Sequence, residues 1–318
     1  MTEARSGDMR VLFWGTPDFA TPPLRALLGE GVDVVGVVTQ PDRPQGRHRS
    51  TTVPPPVKVV AQEEELQVLQ PEKPRGEAFI AAVRELEPDL SVVVAYGHIL
   101  PKEVIDLPRL GTLNIHASLL PRWRGAAPIQ AAILAGDTTS GVSIMRMVPA
   151  LDAGPVILQA DTPILDDETG GELTLRLSEL GALAIVEALT LVSLGDSSGM
   201  PQAEEGVTYA GKVNRDSARI DWTRPATEVS RMIRAFDPVP GAFSALQDNE
   251  VKLFGARIAA DARGDPGTVI EIDEMGMLVA CGTGGVRIAY AHPAGRRRLA
   301  ALDWAQGRGV AAGDVFGN

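Results

Sequence analysis

Asn114 and His116 stand two residues apart in the run Leu113-Asn114-Ile115-His116, which reads as a β-strand. Side chains two apart on a strand project from one face. An amide beside an imidazole suits acyl transfer. The imidazole takes or relays the proton of an attacking amine, and the amide N–H donates to the developing oxyanion. A carboxylate that orients and charge-balances the imidazole would complete the set, and Asp152, in Ala150-Leu151-Asp152-Ala153-Gly154, is the candidate. An isolated Asn-x-His is otherwise ordinary at a strand end, because short spacings match by accident often. The sequence around these residues, beyond their spacing, decides between the two readings.

Five β-branched or apolar runs read as strands: RVLFW (10–14), DVVGVVT (33–39), DLSVVVA (89–95), GTLNIH (111–116) and VSIMRM (142–147). The second and third are almost continuously apolar, as in strands buried on both faces. Amphipathic stretches around 18–29, 56–65, 76–87 and 125–135 fall between the strands. Strand–helix alternation predicts an α/β domain with a parallel, Rossmann-like sheet, whose pockets form beyond the carboxyl ends of the strands. Asn114 and His116 fall at such an end, and Asp152 is expected in a turn at the same edge. A long helix opens at Thr169-Gly-Gly-Glu172, a capping-box spacing. The first domain is read as 9–195 and GDSSGMPQAEEG marks a linker at 196–208. The remainder, 209–318, carries short strands (VKLFGARI, GTVIEID, MLVACG, GVRIAYA) between Gly and Asp turns, and predicts a small OB-like β-barrel.

Composition narrows the class. The chain has 318 residues, 44% hydrophobic and 22% charged, the balance of a globular protein. No apolar run has the length of a membrane span, and the leader is not that of a signal peptide, so a cytoplasmic protein is expected. The single cysteine, Cys281, lies in the apolar run MLVACG and reads as core; a cysteine-rich metal site is excluded and no metal is expected. A net charge of −11 argues against nucleic acid, but it is unevenly spread. Residues 1–195 hold 16 Lys+Arg against 25 Asp+Glu, whereas 209–318 hold 14 against 13. A local basic path for RNA is therefore compatible with the whole-chain charge.

The run SLLPRWRGAAPIQ that follows Asn-Ile-His resembles the signature of folate-dependent formyltransferases. Further segments carry the same resemblance: WGTPDFA (14–20), VVTQPDRPQGR (37–47), PPVKVVA (55–61), VVVAYGHILP (92–101), TYAGKVNRDSARIDW (208–222) and RAFDPVPGAF (234–243). It spans nearly the whole chain and is greatest to the branch that acts on aminoacylated tRNA. The resemblance implies transfer of a formyl group from 10-formyltetrahydrofolate to the α-amino group of initiator methionyl-tRNA, by direct attack and without a metal. It implies Asn114, His116 and Asp152 as the catalytic set. It also implies folate contacts at Ser118, Leu119, Leu120 and Pro121, and tRNA contacts by the first-domain loop, here Arg43, Arg47 and Arg49, and by the second domain. Two departures stand out: Gly154-Pro155 replaces the family's usual Gly-Asp, and the Arg43–Arg49 loop is less basic than in many relatives.

Other residues are assigned by their surroundings. Arg296, Arg297 and Arg298 form a basic triplet in a Gly-flanked turn, where phosphate contact and plain solvation compete. Trp123, between Arg122 and Arg124, is expected to pack the loop or stack on a ligand. His98 reads as pocket wall, His48 as loop, and His292 carries no role. A dinucleotide oxidoreductase is disfavoured because Gly15-Thr-Pro-Asp-Phe-Ala20 lacks G-x-G-x-x-G and Pro17 removes an N–H. A purine-pathway formyltransferase has no need of the second domain. A formyl-folate hydrolase remains open on the catalytic residues alone, and a non-catalytic RNA-binding protein leaves Asn114, His116 and Asp152 idle. A monomer is expected.

Overall fold

The computed structural model describes residues 9–45, 51–196, 198–247 and 249–317. By contact the described residues form two units: Met1–Gly125, Ser140–Thr162 and Leu175–Tyr209 in one, and Ala126–Thr139, Pro163–Thr174 and Ala210–Asn318 in the other.

The first unit is built on a seven-stranded sheet. Its spatial order is Val156–Pro163, Thr139–Arg146, Thr112–His116, Leu90–Val94, Arg10–Gly15, Asp33–Val38 and Val68–Leu69. The last five are parallel, each paired with its neighbour in that sense. Arg10–Gly15 is central, and from Val11 onward every residue is buried, which explains its unbroken apolar run. Trp14 anchors the core beneath the site: its indole N–H donates to Ser91 Oγ at 3.1 Å, and its ring meets Phe79 and Tyr96 edge-on.

One expected strand runs the other way. Thr139–Arg146 is antiparallel to Thr112–His116, with His116 opposite Ser143 and Leu113 opposite Arg146. A parallel neighbour needs a crossover helix lying on the sheet. The helix that intervenes, Pro128–Ala135, makes contacts with helix Ala226–Ala235. Arg146 therefore ends beside Leu113, and Asp152 does not simply share the carboxyl edge with His116. Residues 147–152 must fold back to bring the carboxylate to the imidazole. The edge strand Val156–Pro163 has no counterpart among the expected strands. The capping box is present: Thr169 N–H donates to Glu172 Oε2 at 2.9 Å, and Glu172 N–H to Thr169 Oγ1 at 3.2 Å.

The second unit holds a seven-stranded antiparallel sheet that closes on itself. The path runs Val269–Asp273, Gly276–Ala280, Gly285–Pro293, Asn249–Ala259, Ala242–Leu246 and Phe316–Gly317, with Leu299–Ala300 beside Gly285–Pro293. Phe316 N–H then donates to Gly267 O, and Val269 N–H to Asp314 O, joining the last strand to the first. The expected barrel is thus closed by bonds between its first and last strands. Ile220, Trp222, Phe236, Leu253, Val279 and Trp304 are among the side chains that fill it. Cys281 belongs to that core; burial pushes its thiol up to about 12, as an inert core cysteine requires. Among the described residues no helix is long and apolar enough to cross a membrane.

Candidate active site

His116 is 6% exposed at the end of its strand, and Asn114 is the one partly exposed residue of Thr112–His116. Among the described residues the Asn114 carboxamide makes no hydrogen bond, so both of its N–H groups are open to a ligand. The imidazole is held on both sides. Nε2 lies 2.9 Å from the Trp123 carbonyl oxygen, and Nδ1 lies 3.8 Å from Asp152 Oδ2. A carbonyl only accepts, so Nε2 carries a hydrogen. The proton that can come and go is therefore the one at Nδ1, on the Asp152 side.

At 3.8 Å the Asp152 carboxylate is beyond hydrogen-bond reach of the ring, and its Oδ2 instead accepts the Gly125 N–H at 2.7 Å. The carboxylate is thus fixed by backbone and faces the imidazole as a charge. The atom that sets the ring's orientation is the Trp123 carbonyl, which sequence reasoning missed; a backbone acceptor carries no sequence signal. Trp123 has φ 58 and Asp152 φ 46, a left-handed conformation that Asp adopts readily and Trp seldom. The Trp123 backbone is over-determined by its contacts: its N–H donates to Thr208 Oγ1 at 2.9 Å while its carbonyl meets His116. Its indole packs under the Arg122 guanidinium at 4.4 Å.

The Ser118–Pro121 loop leaves the same strand end. Ser118 is buried, and its hydroxyl donates to Arg122 O at 2.6 Å, closing a turn. Ser143, fully buried opposite His116, ties that loop to the sheet. Its hydroxyl donates to Ser118 O at 2.6 Å and accepts from Leu120 N–H at 3.0 Å and from Gln159 Nε2 at 2.8 Å. Leu119 and Pro121 are the partly exposed members, and the Leu120–Pro121 bond is cis. Ser143→Ala would orphan a buried carbonyl and a buried N–H at once, while Gln159 Nε2 keeps its bond to Leu120 O at 2.9 Å. We expect it to lower unfolding stability by roughly 1–3 kcal/mol, measured by denaturant titration; a change below about 0.5 kcal/mol would show that the hydroxyl does not hold the loop.

The neighbouring strand end supplies Tyr96, Gly97, His98 and Ile99. Tyr96 is buried, its hydroxyl unpartnered among the described residues, and burial pushes its phenol up to about 12. Its carbonyl accepts from Thr16 Oγ1 and Gln40 Nε2, both at 2.9 Å. Gly97 has φ 90, a conformation that other residues rarely adopt, and a β-carbon there would displace the end of the Gln40 side chain, 2.3 Å away at Nε2. His98 is exposed, its ring 5.7 Å from that of Tyr96. Ile99 is 88% exposed and Leu151, beside Asp152, 57%: large apolar groups left uncovered.

The remaining expected positions are dispersed. Arg43 is exposed on a short hairpin, Arg43–Gln45 with Thr51–Val53, and donates to Gln40 Oε1. Arg47, Arg49 and His48 lie outside the described residues. Arg296 and Arg297 are exposed, without an ion-pair partner among the described residues. Arg298 differs from both. Its guanidinium lies 4.2 Å from the Phe254 ring and 4.8 Å from that of Tyr290, and 3.3 Å from the buried Asp237 carboxylate. Those contacts give it a packing role in the barrel. His292 is partly buried within strand Gly285–Pro293. Among the described residues no cluster of three or more His, Cys, Asp or Glu could hold a metal.

Comparison with known proteins follows the same division. The family described as Formyl transferase matches residues 9–189, and Formyl transferase, C-terminal domain, matches residues 212–309. The methionyl-tRNA formyltransferase of Aromatoleum aromaticum is 49% identical over 308 residues, covering 97% of this chain and 97% of that protein. That of Pseudomonas paraeruginosa is 47% identical over 311 residues, covering 97% and 100%. Among solved structures, HypX from Aquifex aeolicus in complex with tetrahydrofolic acid aligns at a TM-score of 0.65 with 22% identity, over 93% of this chain and 46% of that one. The N-formyltransferase from Helicobacter canadensis aligns at 0.65 with 16% identity, over 89% and 100%. The two structures show a shared fold. Matched in both halves and along nearly its full length, the chain belongs to the methionyl-tRNA formyltransferase family of formyl transferases.

Proposed function

We propose that this chain transfers the formyl group of 10-formyltetrahydrofolate to the α-amino group of initiator methionyl-tRNA, as a cytoplasmic monomer. The observation that carries the reading is end-to-end identity near one half with methionyl-tRNA formyltransferases, and His116 and Asp152 face one another beside an unpartnered Asn114.

The folate supplies the activated formyl carbon, bonded to N10. The α-amine attacks that carbon, the C–N10 bond breaks with its electron pair going to N10, and one proton passes from the amine, by way of His116 or water, to N10, releasing tetrahydrofolate. Asn114 donates an N–H to the formyl oxygen as it becomes an oxyanion. His116 Nδ1 takes the amine proton, directly or through water, while Nε2–H stays on the Trp123 carbonyl. Asp152 stabilises the resulting imidazolium by charge across 3.8 Å. Ring orientation falls to Trp123, and Asp152 contributes charge balance. Leu119 and Pro121, carried on the buried Ser118 and Leu120, and the uncovered Ile99 and Leu151 offer an apolar wall to the folate ring system. Arg43, Arg47, Arg49, Arg296 and Arg297 are the cations offered to tRNA phosphates, with Arg298, also exposed, held against Phe254, Tyr290 and Asp237 at the barrel surface.

The test is an acceptor comparison. Purified protein with 10-formyltetrahydrofolate is offered methionyl initiator tRNA, methionyl elongator tRNA, glycinamide ribonucleotide or no acceptor. Formylation confined to the charged initiator tRNA is expected. Folate turnover without any acceptor, and no formyl-methionyl product, would make the protein a hydrolase.

A further inference from the structure

Gln202 lies in the segment between the two family matches, among Gly, Ser, Pro and charged residues, yet its carboxamide is saturated with hydrogen bonds. Nε2 donates to Asp152 O and to Gly154 O, each at 2.8 Å. Oε1 accepts from Arg124 Nε at 3.0 Å and from Arg124 Nη2 at 2.7 Å. An amide has two donors and one acceptor oxygen with two lone pairs, so this one has no capacity left. Its orientation is unambiguous, because carbonyls only accept and a guanidinium only donates.

The two pieces that Gln202 joins are the two halves of the catalytic geometry. One is the turn at Asp152, a left-handed position with φ 46. The other is the strand at Arg124, flanked by Trp123, whose carbonyl meets His116, and by Gly125, whose N–H holds Asp152 Oδ2. The same segment is fastened on both sides of Gln202. Met200 and Val156 exchange N–H to carbonyl bonds at 2.8 Å, and Thr208 O accepts the Arg124 N–H at 2.9 Å. A stretch that composition marks as a linker is therefore part of the catalytic scaffold.

We propose that Gln202 is a positioning residue for formyl transfer: its carboxamide fixes the Asp152 turn against the loop that orients His116. The proposal rests on the function proposed above. Gln202→Glu separates the two arms of the clamp. A carboxylate keeps, and strengthens by charge, the bond to Arg124, but cannot donate to the carbonyls of Asp152 and Gly154. Gln202→Ala removes both arms.

Both variants of the full chain are assayed for kcat and for KM with each substrate, and hydrogen exchange is followed over residues 150–155. Expected are a kcat loss on the order of 10–100-fold in both, KM values within about threefold of the parent, and faster exchange in the turn. Gln202→Glu, which retains the Arg124 bond, is expected to melt with the parent and serves should the alanine variant fail to fold. Parental kcat in Gln202→Glu, a rise in KM alone, or unchanged exchange at 150–155 would each overturn the proposal. If the parent protein formylates no acceptor, the functional reading falls. The exchange difference still reports whether Gln202 holds the turn.

Discussion

Asn114→Ala is expected to slow formyl transfer about a hundredfold, a transition-state loss on the order of 3 kcal/mol, while folding and folate affinity stay near those of the parent. The expectation follows from what the carboxamide does not do. It makes no hydrogen bond among the described residues, so its removal breaks none. Its place two residues before His116 on one strand face puts its donors beside the proton acceptor. An interaction made only as charge develops on the formyl oxygen lowers kcat and kcat/KM together and leaves substrate binding unchanged. Asn114→Asp sharpens the test. It matches the volume but cannot donate when ionised, and its charge would oppose an oxyanion, so its loss should equal or exceed that of alanine. Single-turnover rates at saturating folate, with the folate dissociation constant measured separately, distinguish the outcomes. A rise in KM with an unchanged single-turnover rate would make Asn114 a binding group and leave the oxyanion to another donor.

How far the chain reveals this arrangement depends on the kind of contact. Strands with apolar residues on both faces are legible: DVVGVV and LSVVV are buried almost throughout, and each forms a parallel strand of the first unit. Val156–Pro163 is not, because an edge strand half open to solvent shows the mixed pattern VILQADTP and ends in a proline. The direction of Thr139–Arg146 escapes the sequence for a different reason. Strand polarity depends on where the preceding helix packs, and Pro128–Ala135 packs on Ala226–Ala235, a partner far along the chain. In the barrel, Ala242–Leu246 hides behind small residues, and the closing strand Phe316–Gly317 has only two.

The site divides along the same line. Asn114, His116 and Asp152 are side chains with chemistry of their own; spacing offers them as candidates, and the family resemblance is what favours them over an ordinary strand-end role. The groups that place them do not announce themselves. The Trp123 carbonyl and the Gly125 N–H are backbone, available to any residue. Ser143 is one serine in an apolar strand, and only its register opposite His116 shows that it binds Ser118, Leu120 and Gln159. The one sequence clue is a buried-strand hydroxyl, which must find a partner somewhere. Arg298 shows the converse. The basic triplet reads as three alike cations in a turn, where phosphate contact and plain solvation compete, but the third also lies against two aromatic rings and Asp237.

Gly154→Ala is expected to cost about a hundredfold in kcat together with a measurable loss of stability, although it adds a single methyl group. Gly154 is buried, and a β-carbon there would stand 1.8 Å from the Arg146 carbonyl oxygen and 2.9 Å from its carbon. Both atoms are backbone in the strand beside Thr112–His116, with Arg146 N–H donating to Pro155 O at 2.9 Å, so they cannot rotate away. Relief must come from the turn itself. A shift on the order of 1 Å there carries Asp152 with it and breaks the Gln202 bond to the Gly154 carbonyl. Overpacking of this kind costs roughly 1–3 kcal/mol, a fall of several degrees in melting temperature. The proline after Gly154 sets the limit on adaptation, since its fixed φ removes one of the torsions that could absorb the displacement. Gly29→Ala is the matched control. That glycine ends helix Thr21–Gly29, and a β-carbon there would have nothing within 4 Å, so an equal change in composition should leave activity and melting near the parent. Parental kcat in Gly154→Ala would mean that the turn tolerates displacement, and that the distance from Asp152 to His116 does not control the rate.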